Sequence, residues 1–186
     1  SRLLTRVAGR DELHARILEQ PAPVVDARDL REPPREAVER LRRALGPPAD
    51  AGAADVQQAG QWAVALEVVD PRWESYDFTW LDNTADGSSG AAYRVGEFVE
   101  VDVAPEDLAL TMAFDGERRS GDGRAALGSP ADAVVYLVRE LAQRGVGLEV
   151  GMIVLTGGIT APVDLRPGLR IDVSSPQLGS CSLLCH

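Results

Sequence analysis

The spacing of apolar residues changes near position 60 of this chain. Before that point they recur at helical intervals among charges. Leu13, Ile17 and Leu18 follow Asp11, a suitable N-cap, and Pro21 with Pro23 stops the run. Val38, Leu41 and Leu45 follow Pro33-Pro34, with Glu36/Arg40 and Glu39/Arg43 at i,i+4 and Gly46-Pro47-Pro48 as the end. The run from Ala49 to Gly60, rich in Ala, Asp, Gly and Gln, reads as a connection. The expected organisation is a helical N-terminal region with its linker over 1–60 and a β-rich domain over 61–186.

From Gln61 onward the period shortens to two. In 62–69, Trp62, Val64, Leu66 and Val68 share one face, and Ala63, Ala65, Glu67 and Val69 the other. Further strands are expected at 98–103, 108–114, 152–156, 169–173 and 180–185, with Leu108, Leu110, Met112 and Phe114 facing inward and Asp115-Gly116 as a hairpin turn. One helix interrupts them. Ser129 caps it, Pro130 fits its first position, Val134, Leu137, Val138 and Leu141 form its buried stripe, and Gly145 ends it. The fold class that follows is α+β, dominated by β.

At 186 residues and 45% hydrophobic composition, the chain suffices for one sizeable core. A formal charge of −10 argues against a nucleic-acid partner and leaves small molecules or proteins. No stretch is apolar enough for a membrane span and no charged-then-apolar leader opens the sequence, so a cytoplasmic protein is expected. Cys181 and Cys185 stand about 13 Å apart on an extended strand and read as free thiols. Lysine is absent, which excludes Schiff-base chemistry, and His14 and His186 are the only histidines. Acid and base work falls to carboxylates, tyrosines and water.

Three places then carry candidate chemistry. Glu67 lies among small apolar neighbours, where desolvation suits a carboxyl to general acid/base catalysis; the alternative is an edge-strand glutamate paired with Arg72. The loop 82–90 brings Asp82, Asp86, Thr84, Ser88 and Ser89 together with Gly87 and Gly90, and either lines a pocket or turns the chain. Thr156-Gly157-Gly158 follows an apolar run, and successive N–H groups there suit an anion such as an enolate, or make an ordinary tight turn. Arg72 is a candidate for binding an anionic substrate bidentately.

These pieces, in this order, resemble the fumarylacetoacetate hydrolase-like superfamily, on its branch of 2-hydroxypentadienoate hydratases and oxalocrotonate decarboxylases. The resemblance rests on Ala65-Leu66-Glu67-Val68-Val69-Asp70-Pro71-Arg72, on Asp82 to Gly90 running on to Gly96, and on Gly121 to Gly128, Tyr136-Leu137, Gly151 to Gly157, Pro167-Gly168 and Leu178-Gly179-Ser180. It covers residues 61 to 185. It implies a mixed β-sheet roll with one packed helix, a homodimer, and a magnesium or manganese ion held by three carboxylates that grips a 2-oxo acid. Glu67 matches one of those ligands and Ser89 the family's active-site serine, while Gly87 replaces an asparagine.

The sequence also departs from that pattern. Nothing before Glu67 reads Glu-x-Glu, where the family places its other two ligands, and no lysine matches the family's lysine. One carboxylate is a poor magnesium site, because a hard cation takes several oxygen ligands. The first expectation is therefore a shortened, repurposed hydratase-like enzyme (a lyase, isomerase or cyclase). It acts on an enolisable carbonyl compound, without metal or with a degenerate magnesium or manganese site at Glu67. Arginine-, alanine- and glycine-rich usage suits a high-GC bacterium, in which such an enzyme serves aromatic degradation or specialised metabolism. The alternatives are a metal-dependent 2-oxo-acid hydratase or decarboxylase, and a non-catalytic subunit of an intact relative.

Overall fold

In the computed structural model the residues described are 2–4, 52–73, 77–148 and 152–186. The two helices expected around 11–20 and 34–45 lie outside them. Among the described residues seven strands form two sheets: β1 (Arg2–Leu4), β2 (Ala65–Val69) and β3 (Gly90–Val95) in one, and β4 (Ala109–Phe114), β5 (Glu117–Asp122), β6 (Arg170–Ser175) and β7 (Gly179–Leu184) in the other. The first sheet runs β1-β2-β3, with β1 parallel and β3 antiparallel to the central β2. The second runs β5-β4-β6-β7 and is antiparallel throughout. With the three α-helices among the described residues added, the fold is α+β.

Alternation in the sequence decides which faces meet. Val64, Leu66 and Val68 of the β2 run are buried against Leu108, Leu110, Met112 and Phe114 of the β4 run, Ile171 and Val173 of β6, and Leu183 of β7. On the opposite face Ala63, Ala65 and Glu67 are half-buried, while Val69, past the register shift at Val68/Val69, is buried. That opposite face is the one that matters for the site.

Asp115 and Gly116, both at positive φ, make the tight turn between β4 and β5. Cys185 is buried, Cys181 half-buried, and both are free thiols, with burial pushing Cys181 up to about 11.

Helix α1 (Ala53–Ala59) forms where composition suggests a connection. Gly52 donates its N–H to the Asp55 carboxylate at 2.9 Å, and Val56 is its one buried residue. A helix this short with one apolar anchor shows no stripe. Helix α2 (Trp80–Ala85) has no buried residue at all and is set by its cap, Thr79, whose side chain accepts from Asp82 N–H. Helix α3 (Pro130–Gln143) begins as expected, with the Ser129 hydroxyl accepting from Ala131 N–H at 3.3 Å. Its buried positions are Pro130, Ala131, Val135 and Val138, so the stripe is rotated from the expected one, toward Val56 of α1.

Two expected strands are absent, for the same reason. Residues 98–103 make one bridge, Val99 with Trp62, and beyond it the Gln57 side-chain amide donates to the carbonyls of Val101 and Val103 in place of a ladder. Residues 152–156 join no ladder among the described residues; both edges of β2, which they lie across from, are taken by β1 and β3. An alternating sequence becomes a strand only where a neighbouring backbone edge is open.

Candidate active site

The half-buried face of β2 is a wall. Successive residues on one face of a strand lie about 7 Å apart, so Ala63, Ala65 and Glu67 span about 13 Å along it. Glu67 itself sits in register with Tyr93 of β3 and Arg2 of β1. Across from the wall lies the extended run 152–159. Between them Glu67, Thr156 and Gly157 line a cavity of ≈ 70 Å³, closed by Leu108, Leu110, Pro130, Ile159 and others. Gly158 follows directly but is not part of that lining.

Glu67 is the only carboxylate on this cavity among the described residues. Gly157 holds a φ of 107°, open to glycine and strained for other residues, and a Cβ there would meet nothing. The N–H groups of Thr156, Gly157 and Gly158 enter no hydrogen bond between described residues. A wall carboxylate opposite a threonine hydroxyl and uncommitted N–H donors is suited to moving a proton and meeting the negative charge that results.

Asp86, Ser89 and Arg72 gather elsewhere, at the exit of β2, and line neither this cavity nor the larger one beside it. The Asp86 side chain is 3% exposed and pairs with the Arg72 guanidinium, whose side chain is 63% exposed. Asp86 also accepts from Arg72 N–H at 3.0 Å. The Ser89 hydroxyl donates to Asn83 Oδ1 at 2.9 Å, and the Ser89 carbonyl accepts from Asp70 N–H at 2.8 Å.

Gly87, Ser88 and Ser89 are all left-handed, at φ of 63°, 56° and 60°. For the two serines this costs about 1 kcal/mol or more each, held by the hydrogen bonds around them. Nearby, hydrogen bonds from Thr79 hold the Asp82 carboxyl below its ordinary range. This cluster ties the end of β2 to the start of β3. Asp86→Asn is expected to lower stability by about 1–3 kcal/mol, since it weakens a charged acceptor buried on a backbone N–H. Urea melts check the loss, and a pH–rate profile unchanged in shape would accompany it.

Sequence reasoning missed the part played by the apolar walls around Glu67. Ala63 and Ala65 were visible as small residues on Glu67's face, but that α1, α3 and the 152–159 run close over them is tertiary information.

A divalent ion does not fit the described residues. No group of three or more His, Cys, Asp or Glu side chains among them is placed to hold one, and Glu67 alone supplies one of the several oxygens a hard cation takes.

No family model matches the chain. Individual relatives do. A 4-oxalocrotonate decarboxylase of Pseudomonas sp is 37% identical over 121 residues, 64% of this chain and 47% of that protein. A 2-keto-4-pentenoate hydratase 1 of Dechloromonas aromatica (strain RCB) is 35% identical over 137 residues, 70% of this chain and 51% of its own. A solved 4-oxalocrotonate decarboxylase from Pseudomonas putida G7, complexed with magnesium and adipate, superposes with a TM-score of 0.67 at 34% identity, over 71% of this chain and 52% of that one. The same enzyme complexed with calcium and acetate gives 0.65 at 33% identity, over 71% and 51%. The chain thus spans about half the length of the relatives it matches. It belongs to the fumarylacetoacetate hydrolase-like superfamily, on the branch of the 4-oxalocrotonate decarboxylases and 2-keto-4-pentenoate hydratases.

Proposed function

We propose that this chain is a hydratase-like enzyme of the fumarylacetoacetate hydrolase-type roll, acting on an enolisable carbonyl compound with Glu67 as its acid/base. The observation that carries the reading is the shared cavity of Glu67, Thr156 and Gly157. In the reaction, the Glu67 carboxylate takes a proton from the carbon next to the carbonyl. The electron pair of that C–H bond becomes the C=C bond of the enolate, the C=O π pair moves to the oxygen, and the oxyanion accepts from the Thr156 hydroxyl and the Gly157 N–H. Glu67 then returns the proton to a carbon of the enolate, or to a leaving hydroxide where water is exchanged. Asp86, Ser89 and Arg72 are positioning residues in this reading, and Gly158 extends the anion-binding turn.

The relatives supply the probes. Deuterium exchange next to the carbonyl of 2-oxohexanoate, followed by NMR, is expected to run at least a hundredfold above the buffer rate. Hydration of 2-keto-4-pentenoate tests the fuller activity. Activity retained after exhaustive chelation supports this reading. Activity lost on chelation and restored by magnesium moves the assignment to a second one, a metal-dependent 2-oxo-acid hydratase or decarboxylase. The magnesium and calcium complexes of the Pseudomonas putida G7 decarboxylase favour that second reading. No exchange under either condition sinks both.

A further inference from the structure

The cavity at Glu67 has room for about two waters, at ~30 Å³ each, enough for a reacting carbonyl and little more. The rest of a substrate needs another place. A second cavity, of ≈ 190 Å³, shares the walls Trp62, Ala63, Ala65, Val154, Leu155 and Thr156 with the first and so lies beside it. It runs along β2 away from Glu67, and Val56 of α1, Val95 of β3, Phe98 and Val134 of α3 complete it.

Two features of this second cavity are informative. Its room comes from Ala63 and Ala65, since any larger side chain on those two positions would stand in it. And no charged side chain is among its described lining residues; beyond apolar groups these offer Gln61 and Thr156. A terminal carboxylate placed there would be desolvated, and none of the described lining residues supplies a cation to meet it.

We infer that this cavity is the tail subsite of the Glu67 centre, and that it selects carbonyl substrates with an uncharged apolar tail of about six carbons or a phenyl ring. The inference rests on the Glu67 reading for its orientation, with the head at Glu67 and the tail toward Phe98. The size follows from volume, because an apolar cavity of about 150 Å³ accepts benzene. The relative solved with adipate holds a dicarboxylate, and this tail subsite rejects the second carboxylate.

Calorimetric titration of the full chain with 2-oxobutyrate, 2-oxohexanoate, 2-oxooctanoate and 2-oxoadipate tests it. Affinity is expected to rise about threefold to fourfold per methylene up to the six-carbon tail of 2-oxooctanoate. 2-Oxoadipate, matched in length to 2-oxohexanoate, is expected to bind at least tenfold more weakly than it. Ala59→Leu, on a residue that lines the second cavity and not the first, is expected to weaken 2-oxooctanoate at least tenfold and leave 2-oxobutyrate unchanged. Val134→Phe, likewise on the second cavity alone, repeats the test should Ala59→Leu fail to fold.

An affinity that ignores tail length, 2-oxoadipate binding as well as 2-oxohexanoate, or no binding by any of the four overturns the inference. Proton exchange in 2-oxobutyrate separates it from the reading beneath. A tail-length dependence with exchange indifferent to Glu67→Gln removes the Glu67 chemistry alone. Exchange that needs Glu67, with affinity blind to the tail, removes the subsite alone.

Discussion

Glu67→Gln is expected to lower kcat for proton exchange by about 10²–10⁴-fold, the range that a positioned acid/base contributes. Glutamine keeps the shape of the side chain and a carbonyl acceptor, and loses only the ability to take and return a proton. The residue lies on the half-buried face of β2, outside the cluster formed by Val64, Leu66 and Val68. A fall in kcat far beyond any accompanying loss of stability is the outcome that marks chemistry and not folding. KM should change little, because the tail supplies most of the binding area. Steady-state kinetics beside a thermal melt give both numbers. A variant that exchanges protons at the unaltered rate removes Glu67 from the chemistry, whatever the fold.

The pairing of Glu67 with an apolar, small-residue face is legible in the amino-acid order alone, because period-two alternation assigns every residue of 62–69 to a side. So is the inward set Leu108, Leu110, Met112 and Phe114, all four of which are buried. Legibility ends where the deciding term is the neighbour. The run 152–156 has the alternation of a strand yet becomes the far wall of a cavity, since both edges of β2 are occupied. β3 escapes a reading by pattern because Gly90-Ala91-Ala92 offers too little apolar contrast to show a period, though its ladder with β2 is nearly continuous. The loop 82–90 is readable as a polar turn, but the choice between pocket and brace depends on Arg72 reaching Asp86 across fourteen residues.

Gly121→Ala is expected to affect stability and activity together, through one contact. Gly121 stands on β5 opposite Leu110 of β4. A Cβ built on it would lie 2.5 Å from the Ile159 carbonyl oxygen and 2.9 Å from its Cγ2. The nearer of these is backbone, so relief requires the 159 region to move as a unit. Overpacking of this kind costs about 1–3 kcal/mol. Ile159 and Leu110 both line the Glu67 cavity, as do Thr156 and Gly157 a few residues away on the same run. A displacement approaching 1 Å there would cost about 10²-fold in rate.

Ile171→Val supplies the control. It removes one methylene from a fully buried β6 side chain that does not line the cavity, at about 0.5–1.5 kcal/mol. If activity merely followed stability, the two variants, compared well below their melting temperatures, would retain similar rates. The contact at Ile159 requires instead that Gly121→Ala lose rate far out of proportion, and that the loss fall on kcat, because the oxyanion donors shift while the apolar tail walls at Ala63 and Ala65 stay in place.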